Sequence, residues 1–344
     1  MNKRFYLSII GALLLLAPGT ASLQGGPSPR LLVLDTLKRY SPTGYHIVTA
    51  YGGAPEEITM AGSRLRMSKT DFMAYVRGAA MPEMASWLNV TVHEMCHGYT
   101  ARMAYHLAPE RKIAVYPGDR YLAFYIGGDE DILVRITRVF PSREIARDFP
   151  AGIRTFRFAT YVDSPRSNMG TQVNGVYGLL DELNAYYHGT RTALDLLPFY
   201  KKQSRQDAQL WRAFFNQVNG TYYAHLEFKL FILKYLIYAE KTHPGIYRDI
   251  MDNEGFRKAF ATIDKNFTAL NEEYSRSKTD IFGFLKTKGI EAREEGKYLY
   301  FKSGNTTMGL GNFTDTRDLL ARELEKTEYR DMLARLAAHQ DEGH

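Results

Sequence analysis

The chain has 344 residues, 45% hydrophobic and 24% charged, with a formal net charge of +6. That composition excludes a disordered chain, and the length permits one large domain or two modest ones. The charges are interleaved rather than blocked, so the mild basicity serves solubility and excludes a nucleic-acid footprint.

The first element is a leader. MNKRFYLSIIGALLLLAPGTASLQGG has a basic start at Lys3 and Arg4, an apolar run from Phe5 to Ala17, a Pro-Gly break, then small residues including Gly19 and Ala21. That order predicts a signal peptide over 1–21 and an exported protein, periplasmic or extracellular. The run is short of the ~20 residues a spanning helix needs, so no stable membrane span is expected after cleavage. Cleavage removes two cations and no acids, taking the net charge from +6 to +4. Cys96 is the single cysteine. No intramolecular disulfide can form, and stability must come from core size.

Residues 22–30, SLQGGPSPR, read as a linker. YHIVTAY (45–51) and EITMAGSRLRM (57–67) alternate like strands. SKTDFMAYVRGAA has Ser68 placed as an N-cap, with Asp71 three residues on, and predicts a helix start. Pro82 suits a first helical turn, and PEMASWLNVTVHEMCHGYTARMAYHLA predicts a helix to about residue 107. RKIAVYP, RYLAFYIGG and DILVRITRVF read as β, separated by Pro-Gly-Asp and Gly-Gly-Asp turns. SREIARDF predicts a short helix, RTFRFATYV (154–162) a strand, and VNGVYGLLDELNAYYHG a second well-patterned helix. Beyond residue 190 the chain is mostly helical. In TYYAHLEFKLFILKYLIYAEKT (221–242) the apolar run is broken by His225, Glu227, Lys229 and Lys234, which marks a core helix and not a membrane span. KYLYFKSGNTTMGLGNFT predicts a small hairpin, and a charged amphipathic helix over about 314–339 follows.

TVHEMCHGYT, residues 91–100, carries the chemistry. Residues four apart on a helix lie nearly one above the other, so His93 and His97 present both imidazoles to one ion. Glu94 sits about 100° round, where it reaches a water without displacing it. Val90, Thr91, Val92, Met95 and Cys96 are uncharged, as expected of a helix buried on both sides. Cys96 is turned about 100° from His97 and reads as a small apolar core residue.

A catalytic zinc needs a third protein ligand. A metzincin would place Gly and His three and six residues beyond His97; Thr100 and Met103 stand there, and His106 faces the opposite side of the helix. Glu182 lies among Val176, Leu179, Leu180, Leu183 and Ala185, where an unpaired carboxylate is costly to bury and chelation explains it. Asp181 competes for that role, because spacing alone gives no register. Tyr186, Tyr187, His188 and Arg191 follow closely. His188 and Tyr187 are the candidates for a donor to the oxyanion of a tetrahedral intermediate. RTFRFATYV and RYLAFYIGG offer candidate sheet edges for an extended peptide.

HEMCH followed by a glutamate on a second helix resembles the gluzincin zinc metallopeptidases. The 85 residues from His97 to Glu182 exceed the thermolysin separation and are similar to the CAAX-prenyl-endopeptidase-like group. That group's second motif is Glu-x-x-Ala-Asp; ELNAY has Glu182 and Ala185, then Tyr186 in place of the Asp that supports a zinc-binding histidine. The resemblance covers two short motifs. It implies an α+β, zincin-like fold with a β-rich N-terminal region and a mainly helical C-terminal region. Residues 31–190 would form the catalytic region with both metal-binding helices, and 191–344 the helical C-terminal region. The implied function is an exported zinc (Zn2+) metallopeptidase of peptide or protein substrates, with His93, His97 and Glu182 as ligands and Glu94 as general base. The alternatives are an inactive zincin-like binding or assembly protein, or a zinc hydrolase of a non-peptide bond.

Overall fold

The computed structural model describes residues 27–60, 63–116, 118–128, 130–203 and 207–341. The signal-peptide reading and most of the linker lie outside them. The fold is α+β. Helices α1 (Pro29–Tyr40) and α2 (Pro42–Gly53) precede a hairpin of β1 (Glu57–Met60) and β2 (Ser63–Arg66). A 3-10 turn (Phe72–Tyr75) and α3 (Met81–Ala85) lead into α4 (Leu88–Glu110), followed by the antiparallel pair β3 (Tyr121–Gly127) and β4 (Glu130–Arg135). Short turns and α5 (Gly170–Val173) lead to α6 (Val176–Asp195), then α7 (Leu197–Gln203), α8 (Ala208–Asn219), α9 (Ala224–Thr242), α10 (Pro244–Met251) and α11 (Glu254–Thr287). A three-stranded meander of β5 (Ile290–Glu295), β6 (Tyr298–Ser303) and β7 (Thr306–Gly311) precedes α12 (Thr314–Leu324) and α13 (Thr327–Asp341).

Helix α4 is central: α6, α2 and β3 all pack on it. Leu88, Val92, Met95, Cys96 and Tyr99 are buried, whereas Val90 is 38% exposed on the remaining face. Buried apolar residues from Val33 to Leu336 form one continuous core. Position 190 falls inside α6, which runs on to Asp195, and α11 packs on both α6 and β4.

Three expected strands take other forms. Residues 45–51 belong to α2, because Gly44, Ile47, Val48 and Tyr51 are the buried set, spaced three and four apart on a helix started by Pro42. Residues 158–162 wind as a π-type turn that buries Phe158, Tyr161 and Val162, again at helical spacing. Residues 111–116 pair with no strand and leave Ile113 and Tyr116 on the surface. The region 31–190 therefore carries two separate hairpins among helices, not a sheet. Asp71, not Ser68, caps the 3-10 turn, accepting from the Met73 amide at 2.9 Å. The expected helix from Pro82 breaks at Ser86–Trp87, and the expected C-terminal helix breaks at Glu325–Lys326. The predicted hairpin gains β5 as a third strand, with Gly296 and Gly304 at positive φ in two-residue turns.

The charges that interrupt α9 all have partners. Glu227 pairs with the buried Arg157 at 2.5 Å, and Asp264 of α11 takes His225 at 2.6 Å and Lys229 at 2.8 Å. Lys234 reaches Glu328 at 3.1 Å. Among the described residues, no helix is long and apolar enough to cross a membrane.

Candidate metal centre

His93 and His97 stand one turn apart on α4, and their Nε2 atoms approach to 3.2 Å. Helix α6 brings Glu182 against them. Its Oε2 lies 3.7 Å from His93 Nε2 and 3.6 Å from His97 Nε2. Three atoms so spaced lie on a circle of about 2.0 Å radius, matching the ~2.0–2.2 Å bonds that zinc makes to nitrogen and oxygen. Glu182 Oε2 is buried and makes no hydrogen bond of ordinary length; the two imidazole nitrogens at 3.6 and 3.7 Å face it from beyond that range. A buried, unpartnered carboxylate oxygen is costly, and a cation at the centre of this triangle would satisfy it. Among the described residues this is the one group of three or more His, Cys, Asp or Glu placed to share an ion.

Asp181 does different work from its neighbour. Its Oδ2 accepts from His97 Nδ1 at 2.7 Å, on the side of the ring away from Glu182. That bond fixes the tautomer and leaves Nε2 for the ion. The choice between the two acids is thus made by rotation about α6: Glu182 enters the triangle, and Asp181 orients a ligand from outside. His93 is held from its own side by a backbone hydrogen bond with Ala185 and by the edge of the Tyr186 ring, 4.5 Å between centroids.

The electrostatics of the metal-free site follow from these contacts. Burial, then the His97 and Arg157 charges, push His93 well below the usual histidine range. Burial also disfavours charge on His97, but the Asp181 and Glu182 carboxylates outweigh it and hold that ring well above. The two rings, 3.2 Å apart at Nε2, are thus pushed in opposite directions by their surroundings. Burial, with the Glu182 charge, raises the Glu94 carboxyl against the pull of His97. A carboxyl so raised is better matched to taking and returning protons near neutral pH. The three side chains are mostly covered: His97, His93 and Glu182 keep 26%, 14% and 13% of their side-chain surface exposed.

Other expected positions fall elsewhere. His188 lies six residues past Glu182, which turns it about 240° round α6. It is fully buried against β3, where Nε2 donates to the Tyr125 carbonyl at 2.8 Å and the two rings stack. Burial lowers it to about 4, against the opposing Tyr125 bond. Tyr187 packs on His188 and Phe267 near Arg191, Asp195 and Glu273. The structure brings neither to the triangle. Cys96 is buried, receives Asn184 Nδ2 at 3.4 Å, and is pushed up to about 12 by burial and Asp181. Of the two candidate peptide-docking edges, residues 158–162 are not a strand, and on β3 the Tyr125 and Ile126 carbonyls are already taken by His188 and Asn266.

Two features escaped sequence reasoning. Tyr186 and Tyr161 join hydroxyls at 3.1 Å, with the Arg157 guanidinium 4.5 Å from the Tyr186 ring, forming a polar wall behind His93. Tyr75, on the turn that packs against α4, faces Glu94. Burial first and the Glu94 charge second raise its phenol. Nothing in the spacing of residues 68–76 points to α4; only the clamps that fold this segment back do so. Arg102 holds the Met67 and Ser68 carbonyls, and Tyr51 Oη receives the Thr70 amide at 3.1 Å.

No family model, curated protein or solved structure matches this chain.

Proposed function

We propose that the chain is an exported zinc-dependent metallopeptidase of zincin-like, gluzincin type. The observation that carries this reading is the convergence of His93, His97 and an otherwise unpartnered Glu182 oxygen at zinc-bond radius, with Glu94 beside them outside the ligand set. Zinc bound there supplies a Lewis acid that polarises a scissile carbonyl and acidifies water. Glu94, beside the ligands, would serve as the general base that takes a proton from the attacking water and returns it to the leaving nitrogen. Asp181 keeps His97 in the ligating tautomer, and Tyr186 buttresses His93.

The reading as an inactive binding or assembly factor drew on Tyr186 standing where related motifs have Asp. The Asp181–His97 bond gives one ligating imidazole a carboxylate partner, whereas Tyr186 stands against the other, His93, which takes the Ala185 backbone instead, so the departure bears on His93 alone.

Glu94→Gln in the metal-loaded protein is the test. Hydrolysis of a mixed peptide library is expected to fall roughly 10²–10⁴-fold with zinc content unchanged. Retained hydrolysis at full zinc occupancy would remove Glu94 from the chemistry.

A further inference from the structure

The metal reading needs α4 and α6 at one particular separation, and Gly189 lies where α6 comes up against the backbone of α4. Gly189 lies seven residues after Glu182 on α6, two turns along the same face, about 10 Å away. A Cβ there would stand 2.8 Å from the Asn89 carbonyl oxygen and 3.3 Å from His93 Cβ. The first of these is backbone of α4, one turn before His93, and cannot rotate away. Ala185, between Glu182 and Gly189, is also small and fully buried against the same helix.

We infer that Gly189 is a positioning residue for the metal centre: its missing side chain lets α6 approach α4 closely enough for Glu182 to close the triangle with His93 and His97. This rests on the metal-site reading above. Any side chain at 189 displaces α6 by several tenths of an ångström. Zinc bonds tolerate little of that, whereas hydrophobic packing absorbs it more readily.

Gly44 provides the matched control. A Cβ at 44 meets Thr192 Oγ1 at 2.8 Å, Val92 Cγ2 at 3.0 Å and Ser41 Oγ at 3.1 Å. Thr192 and Val92 lie on α6 and α4 and Ser41 caps α2; all three contacts are side-chain ends, with no backbone of either metal-binding helix among them. Gly44→Ala therefore reports packing stress alone.

The experiment titrates the metal-stripped full chain with zinc and with Co²⁺, reading zinc affinity and the Co²⁺ visible spectrum for wild type, Gly189→Ala and Gly44→Ala. Gly189→Ala is expected to bind zinc roughly ten- to a hundredfold more weakly, the loss usual when support around a metal ligand is disturbed, and to shift the Co²⁺ bands. Gly44→Ala should match wild type in both, whatever its melting temperature. Should Gly189→Ala fold poorly, sucrose favours the compact state and allows the same titration. Wild-type affinity and spectrum in Gly189→Ala overturn the inference while leaving the metal site standing. A wild-type chain that binds neither ion overturns both.

Discussion

Two of the histidine–carboxylate clusters among the described residues, one on α9 and α11 and one on α4 and α6, differ in what is left over. On α9 and α11, His225 Nε2 meets Asp264 at 2.6 Å and its Nδ1 receives Asn271 Nδ2 at 3.3 Å. Lys229 neutralises the other Asp264 oxygen at 2.8 Å. Burial would raise that carboxyl, but His225 and Lys229 outweigh it and hold it below the usual range. On α4 and α6, two imidazole Nε2 atoms face one another, and Glu182 Oε2 has no hydrogen bond. In the first cluster both His225 nitrogens and both Asp264 oxygens are taken, and the atom left over is the Asn271 amide oxygen; in the second the atoms left over converge on one point, as a binding site's do.

Substitution of the two clusters should separate them most sharply. Glu182→Gln removes the third ligand, so zinc should no longer raise the melting temperature. In wild type, zinc at a thousand times its Kd stabilises by about 4 kcal/mol. His225→Asn should do the reverse, lowering stability by about 1–3 kcal/mol through the stranded Asp264 while leaving the zinc-induced rise intact. Differential scanning calorimetry with and without zinc reads both. A zinc response lost in His225→Asn and kept in Glu182→Gln would invert the comparison.

The pH dependence sharpens the contrast through a third histidine. His188 is fully buried and lowered to about 4 from an ordinary value of 6.5. Its folded-state value is the depressed one, so the unfolded chain takes up the proton first. The associated stability is full above pH ~6.5 and is lost as pH falls towards ~4, by about 3 kcal/mol in all. Urea unfolding of the metal-free protein at stepped pH should show that loss, and His188→Gln should flatten it. An unchanged slope in His188→Gln would place the acid sensitivity elsewhere.

A smaller effect is expected at Asp181. Asp181→Asn keeps a hydrogen-bonding group beside His97 Nδ1 but removes its charge, and zinc affinity should fall by about tenfold, the low end for such support. Competition against a chromophoric chelator measures it. An unchanged affinity would reduce the His97–Asp181 bond to packing.

How much of this was legible beforehand depended on whether one helix or two carried the information. The His93/Glu94/His97 face follows from helical periodicity alone, and so do the helices expected over 82–107, 173–189 and 221–242, of which α4, α6 and α9 fill the larger part. The choice between Asp181 and Glu182 needed the rotation of α6 against α4, which no local pattern encodes. His188 read as a site residue because it follows Glu182 closely in sequence, but six residues turn it to another face. Residues 45–51 and 154–162 read as strands from their β-branched and aromatic content. The buried set at Gly44, Ile47, Val48 and Tyr51 shows that three-and-four spacing, not alternation, was the informative period. The hairpin at β6 and β7 was visible in its glycine turn, whereas the charged run of β5 hid its pairing.

The most direct test is an equilibrium zinc titration of the metal-stripped full chain, run beside the His93→Ala/His97→Ala double variant. One equivalent of zinc bound tightly by wild type and lost in the double variant is the predicted result. Equal binding by the two, or none by wild type, would contradict it.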